Sequence, residues 1–301
     1  MPRRQEHFIV VCSLVLVWST IGMGAQESTN SALLEKSRQA LTKRDYTQAM
    51  ESLKQVDPSR PERATMLAVA NGMACQTHGA VSEQDPSADA QCAMAKQFFT
   101  QVLSHSPHDG LALSWLGALS FHESWGTQRP ARFAKLDEVR GYFTTLLVAH
   151  PDEPAWRAES EYWLGVTAWT ASYWRNQDAR ADYNRNSQIA LQGNDPLPEA
   201  VRIELARQCG DMVNKGIEGL QKRVDQQGKD VYSLAYLNLL LRRRADLQEN
   251  GEMRAKDLRM ADQLVNRIKE LQKSEVLVID IPLHPAIPPP PPPPHVQSPR
   301  P

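Results

Sequence analysis

Apolar residues recur at steps of three and four along most of this chain, the spacing of one buried face on an α-helix. The clearest run is Ala95–Pro151. Ala95, Phe99 and Val102 share a face that alternates small and large side chains, suited to locking against a neighbouring helix. Pro107 ends that helix, because proline lacks an N–H and clashes with the preceding turn. Asp109-Gly110 supplies turn chemistry. Leu113 and Leu116 form the facing stripe, and Gly117, without a Cβ, lets a partner backbone come close. Phe143, Leu146 and Pro151 close the unit. The pattern predicts two antiparallel helices joined by a polar connection over Glu123–Pro130.

Weaker copies flank this unit. Residues 26–30 read as a polar leader. Leu33–Leu41 predicts a first helix, and Lys43–Tyr46 with Ala49, Leu53 and Val56 a second, ended by Asp57-Pro58. Pro61 opens the next helix, with Met66, Leu67, Val69, Ala70 and Met73 on its face. The polar stretch Thr77–Ala88 reads as a loop. Pro154 opens another helix, centred on Tyr162–Gly165 and running to about Trp174. Residues 175–197 break the pattern and read as an insertion. Periodicity resumes at Leu197, and Gly216, Leu220 and Gly228 suggest a helix closed by glycine. Asp230 starts a further repeat, with Leu234, Leu237 and Leu239–Leu241, ending its apolar face at Arg242-Arg243-Arg244. A last amphipathic helix covers Met253–Lys273. It is apolar at Leu258, Ala261, Leu264, Val265, Ile268 and Leu271, and polar at Arg254, Lys256, Asp257, Asp262 and Lys269.

The two ends differ from this middle. Residues 1–25 have the grammar of an export signal: Arg3-Arg4, an apolar core from Phe8 to Trp18, and small residues before Gln26. The other reading is an uncleaved anchor over residues 8–25. The tail, residues 274–301, carries an unbroken Pro288–Pro294, a polyproline rod of about 22 Å when extended. It serves as spacer, docking ligand or solvated tail; composition does not separate these. With 23% charged residues and a net charge of −1, the chain lacks the basic profile of a nucleic-acid binder. Export leaves Cys75, Cys92 and Cys209, an odd set. Cys75 and Cys92 fall on successive helices and can meet across that hairpin, or lie buried as small apolar groups.

The residues of 95–151, the Leu164-Gly165 pair and Leu234-x2-Leu237-Asn238 together resemble the tetratricopeptide repeat (TPR) superfamily over about residues 31–273, and the later part resembles exported bacterial members of unassigned function. The resemblance implies an all-α, TPR-like right-handed superhelix of about five helical hairpins with a disordered Pro-rich tail. It also implies a non-enzymatic scaffold that binds a protein or peptide partner in a concave groove lined by the first helix of each hairpin. The groove positions carried over are Ser114, Phe121 and His122 in the third repeat, Tyr162, Val166 and Trp169 in the fourth, and Leu239 and Arg242 in the fifth. The implied setting is periplasmic or extracellular, with no cofactor or metal and no nucleic-acid partner, and with membrane attachment only if residues 8–25 persist. Anchored envelope assembly, or a hydrolase on a helical scaffold, are the rival readings.

All six tryptophans outside the first 25 residues lie between Trp115 and Trp174. Tyr162, Trp169 and Tyr173 share a face suited to an apolar or proline-containing segment, although TPR cores also use aromatic residues heavily and an inter-repeat core is the first reading. If Trp169 is core, the binding surface is to be sought on the convex side or in 175–197. His105-x2-His108 has the makings of a metal pair but reads as a surface loop. His122-Glu123 reads as a hydrogen-bonding pair in the groove, and Arg242–Arg244 as a solvated helix end. No nucleophile elbow, P-loop, dinucleotide fingerprint or paired zinc motif is present.

Overall fold

The computed structural model describes residues 26–79, 86–192 and 195–274. Regular structure among them is all helical: α1 (residues 26–42), α2 (Tyr46–Gln55), α3 (Pro61–Gly79), α4 (Pro86–His105), α5 (Gly110–Gly126), α6 (Ala131–Ala149), α7 (Pro154–Asn186), α8 (Glu199–Gln226), α9 (Val231–Leu247) and α10 (Gly251–Ser274). Taken in pairs, these are the five expected hairpins of a TPR-like array. Residues 1–25, the expected export signal, and the Pro-rich tail from residue 275 lie outside the described residues. No described helix is long and apolar enough to cross a membrane. The chain forms two compact units that divide within α4, between Phe99 and Thr100.

In the first unit, residues 26–30 belong to α1 and are not a leader. Asn30 is buried there, and its side-chain carbonyl accepts from the Asp57 N–H at 3.1 Å. The turn into α2 is closed by Asp45 N–H to the Ala40 carbonyl and Arg44 N–H to the Leu41 carbonyl, the double bond of a Schellman motif. The motif needs a left-handed residue, and Arg44 supplies it with φ 60°. Asp45 then caps α2 through Gln48 N–H. The expected loop 77–88 is shorter than its polarity suggested, because α3 runs to Gly79 and α4 begins at Pro86. Cys75 and Cys92 are joined in a disulfide.

In the second unit each helix packs on the next, and α7 also touches α9. The glycines mark the crossings. A Cβ on Gly117 would lie 2.5 Å from Phe143 Cε2 of α6, and one on Gly165 2.5 Å from Leu220 Cγ of α8. Both Leu-Gly pairs therefore do what the repeat pattern requires of them. Asp109 and Asp230 cap α5 and α9 by accepting from Ala112 and Ser233 N–H. The core runs from Leu113 through Phe143, Trp163 and Leu220 to Leu237 and Ala261.

Further expectations change in this unit. The Glu123–Pro130 connection shrinks to Thr127–Pro130, because α5 continues to Gly126. Residues 175–186 are not an insertion but three further turns of α7, which is 33 residues long. Gly228 has no left-handed φ; its carbonyl accepts from Arg267 at 2.6 Å, and a Cβ would meet that guanidinium. Arg242–Arg244 lie within α9 and are engaged: Arg242 with Asp262, Arg243 with Asp246, Arg244 with both carboxylate oxygens of Asp257. Asp257 is thus buried in the α9–α10 contact instead of lying on the polar face.

Candidate functional site

The first-helix positions assigned to a groove are mostly interior. Ser114, Phe121, Tyr162, Val166 and Trp169 are all buried. Ser114 donates to Glu159. Phe121 meets Trp163 edge-on at 5.3 Å. Tyr162 and Trp169 both meet Tyr236 of α9 edge-on at 5.9 Å, and Trp169 stacks on Tyr173 at 5.2 Å. The reason is the α7–α9 contact: successive first helices interlock their rings, so the stripe that would face a partner faces the next repeat. His122 and Leu239 are half-buried. Arg242 is held by Asn238 and Asp262 at 2.9 and 2.6 Å. These residues do not converge on one open surface.

An open concavity of this unit lies elsewhere, where the α7 extension passes between the start of α6 and the first half of α8. It is a cleft of about 580 Å³. Phe133, Tyr183, Val201 and Leu205 give it apolar walls, and Arg175 and Gln208 give it polar groups. Two crossed cation–π contacts fix the α6–α7 wall. Arg132 lies 3.8 Å over Trp174, and Arg175 lies 4.4 Å over Phe133. Consecutive residues on each helix thus exchange ring and guanidinium. Trp125, exposed at the end of α5, extends the aromatic edge by meeting Trp174 at 6.0 Å.

The charges in the cleft are unevenly matched. Arg129 is paired with Asp178 and Asp182. Glu204 accepts from Arg207 and Gln208, and these bonds pull its pKa to about 2. Arg175 has no carboxylate partner among the described residues: its Nη1 reaches only Gln208 Oε1, at 3.4 Å, and its Nε is buried without an acceptor. A guanidinium in that position is ready to receive a carboxylate.

One arginine ties the α7 extension to the segment beyond its C-terminus. Arg180 donates to Asn176 Oδ1 at 3.1 Å, to the Gln192 carbonyl at 3.1 Å and to the Asp195 carbonyl at 2.7 Å. Asn184 exchanges two hydrogen bonds with Leu191. Sequence reasoning missed this because the stabilising groups are polar and leave no apolar period. The Asn- and Arg-rich composition of 175–186 was itself the available signal.

The remaining candidates do not assemble a site. His105 Nδ1 turns back to the Gln101 carbonyl at 2.9 Å. The His108 carbonyl meets His150 Nε2 at 2.7 Å. Glu123 pairs with Lys135 at 3.0 Å. Cys209 is buried, with its thiol donating to the Leu205 carbonyl and its pKa raised by that burial.

No family model and no curated protein matches this sequence. Among solved structures, MamA protein aligns over 84% of this chain and 99% of its own, at 11% identity and a TM-score of 0.43. A tetratricopeptide repeat protein from Parabacteroides merdae aligns over 82% and 98%, at 17% identity and a TM-score of 0.35. Both superpositions are loose. The TPR-like assignment rests on the chain's own hairpins and on its Gly117 and Gly165 crossings.

Proposed function

We propose that this chain is an exported, non-enzymatic helical-repeat scaffold that binds an extended segment of a partner protein. The segment lies in the α6–α7–α8 cleft, with an apolar side chain against Phe133 and Leu205 and an acidic one on Arg175. The observation that carries this reading is the Arg175 guanidinium, stacked on Phe133 and lacking a carboxylate of its own among the described residues. Pre-set aromatic and arginine groups in a cleft are what interface hot spots are made of. Export is supported by the signal-like residues 1–25 and by the Cys75–Cys92 disulfide, since such bonds persist in oxidising compartments.

A photo-crosslinking side chain at Ala200, on the cleft wall, tests the binding reading in envelope extracts, with Glu270, exposed on α10, as control. A discrete adduct is expected from Ala200, weakened by Arg175→Gln, and none from Glu270. Equal labelling from both positions, or none from Ala200, ends the assignment of this cleft. Fractionation with N-terminal sequencing tests export separately, and a mature start at Ala25 or Gln26 is expected.

A further inference from the structure

A second concavity, of about 420 Å³, lies between α6, the first half of α7 and the second half of α8. Its apolar lining is Leu147, Leu164 and Met212, with Thr144 at the side. Arg140, Lys215, Glu218 and Lys222 also line it, and a further ionisable group is set into the wall. Glu161 is only 9% exposed, and its Oε2 is buried with no hydrogen-bond partner among the described residues. An unpaired buried carboxylate is costly, so its retention beside an open cleft asks for a donor from outside.

The cations around it are already occupied. On α8, Lys222 pairs with Glu218 at 2.8 Å, Lys215 with Asp211 at 2.9 Å and Arg223 with Asp230 at 2.6 Å. On α6, Arg140 pairs with Asp137 at 3.2 Å. On α7 itself, Arg157 donates to the Pro151 carbonyl. Burial outweighs these neighbours and holds the Glu161 pKa above the ordinary carboxylate value. Gly219 packs beside Glu161: a Cβ there would sit 3.5 Å from Glu161 Cβ, at ordinary contact distance. A side chain at 219 is therefore sterically permitted and would cover Glu161.

We infer that this cleft is a binding site for a primary alkylammonium group, such as a lysine side chain, whose methylenes lie on Leu147, Leu164 and Met212 while its N–H groups donate to Glu161. A quaternary ammonium, lacking N–H, and a neutral alcohol, lacking charge, are poor substitutes. Binding requires the ionised carboxylate, so it weakens as pH falls through the raised pKa of Glu161.

The test uses the full chain with its methionine methyls ¹³C-labelled, titrated with n-butylammonium chloride at neutral pH. The expected result is a saturable shift of the Met212 methyl. The shift is at least tenfold weaker with n-butanol or tetramethylammonium, at least tenfold weaker in Glu161→Gln, and lost in Gly219→Leu. Glu161→Gln removes a buried charge and is expected to melt no lower than the parent, so loss of binding there is not loss of fold. Lys222→Gln is expected to bind as the parent does. No saturable shift, or equal saturation by n-butanol, overturns the site. Binding that appears only in Lys222→Gln also overturns it, by showing that Lys222 fills the place itself. The proposal does not depend on the peptide reading of the first cleft, because its readout is confined to Met212.

Discussion

Placing an alanine at Gly117 sets two opposing effects against each other on one residue. In an exposed helix interior, Gly→Ala stabilises by about 1 kcal/mol, because glycine loses more backbone freedom on folding. At Gly117 the new methyl would lie 2.5 Å from Phe143 Cε2 and 2.7 Å from Cζ. Phe143 has nowhere to retreat: it is fully buried, and its ring stacks on Trp163 at 5.3 Å with an 8° tilt. Overpacking of this kind costs about 1–3 kcal/mol. The net for Gly117→Ala is thus a loss of about 0–2 kcal/mol, and Gly117→Leu exceeds it. Gly141, exposed on α6 with nothing within 4 Å of an added Cβ, supplies the control. Gly141→Ala should gain the full helix term of about 1 kcal/mol. Urea unfolding followed by far-UV circular dichroism measures both, and the gap between the variants should be about 1–3 kcal/mol. Adding Phe143→Leu should narrow that gap, with a coupling on the order of 1–2 kcal/mol for contacting residues. If Gly117→Ala stabilises as much as Gly141→Ala, α5 and α6 do not cross at Gly117, and the repeat register fails with it.

Four other outcomes are expected. Arg44→Gly should raise stability by roughly 1 kcal/mol, since Arg44 holds a left-handed φ that glycine adopts freely; a lower urea midpoint would show the side chain matters more than the strain. Asp257→Ala should cost about 3 kcal/mol, the low end for a broken buried pair because Arg244 keeps some access to water; a loss below about 1 kcal/mol would make the pair surface-like. Trp163→Ala and Trp169→Ala should each cost about 3–5 kcal/mol, whereas a nearly neutral Trp169→Ala would return that residue to a partner-facing surface. His150 has its pKa raised by Glu153 and by the His108 carbonyl, so its contribution is present below the unfolded value of about 6.5 and fades as pH rises through the folded one; the acid-side gain in melting temperature should vanish in His150→Gln.

Much of the fold was legible because its signals are steric. Leu116-Gly117 and Leu164-Gly165 mark places where a Cβ cannot fit, and Pro61 and Pro154 mark helix starts, so hairpin order came from the residues alone. The candidate site was not legible for two reasons. Periodicity tells which face of a helix is buried but not how many neighbours bury it, and α7 has enough of them to hide Tyr162 and Trp169. The α7 extension is held by Arg180 on carbonyls and by Arg132 and Arg175 on rings, contacts that carry no hydrophobic period. Arg242–Arg244 failed in the same way: a run of like charge looked solvated until Asp257 and Asp262 came round on α10.

The unequal fates of the three cysteines among the described residues bear on how the chain would mature. Bridging Cys75 and Cys92 closes a short segment, 17 residues apart in sequence, so these thiols encounter each other soon after synthesis, before distant parts of the chain need meet. Cys209 is capable of intercepting either partner while it remains a reachable thiolate. Once α8 has packed, that sulfur is enclosed and its acidity suppressed, and it leaves the exchange reaction, which only thiolates sustain. The order of events therefore guards against mispairing: a local link forms quickly, and the third sulfur is withdrawn by folding itself. A core substitution that delays α8 packing would thus surface first as scrambled or intermolecular disulfides, ahead of any change in the melting curve of correctly oxidised molecules.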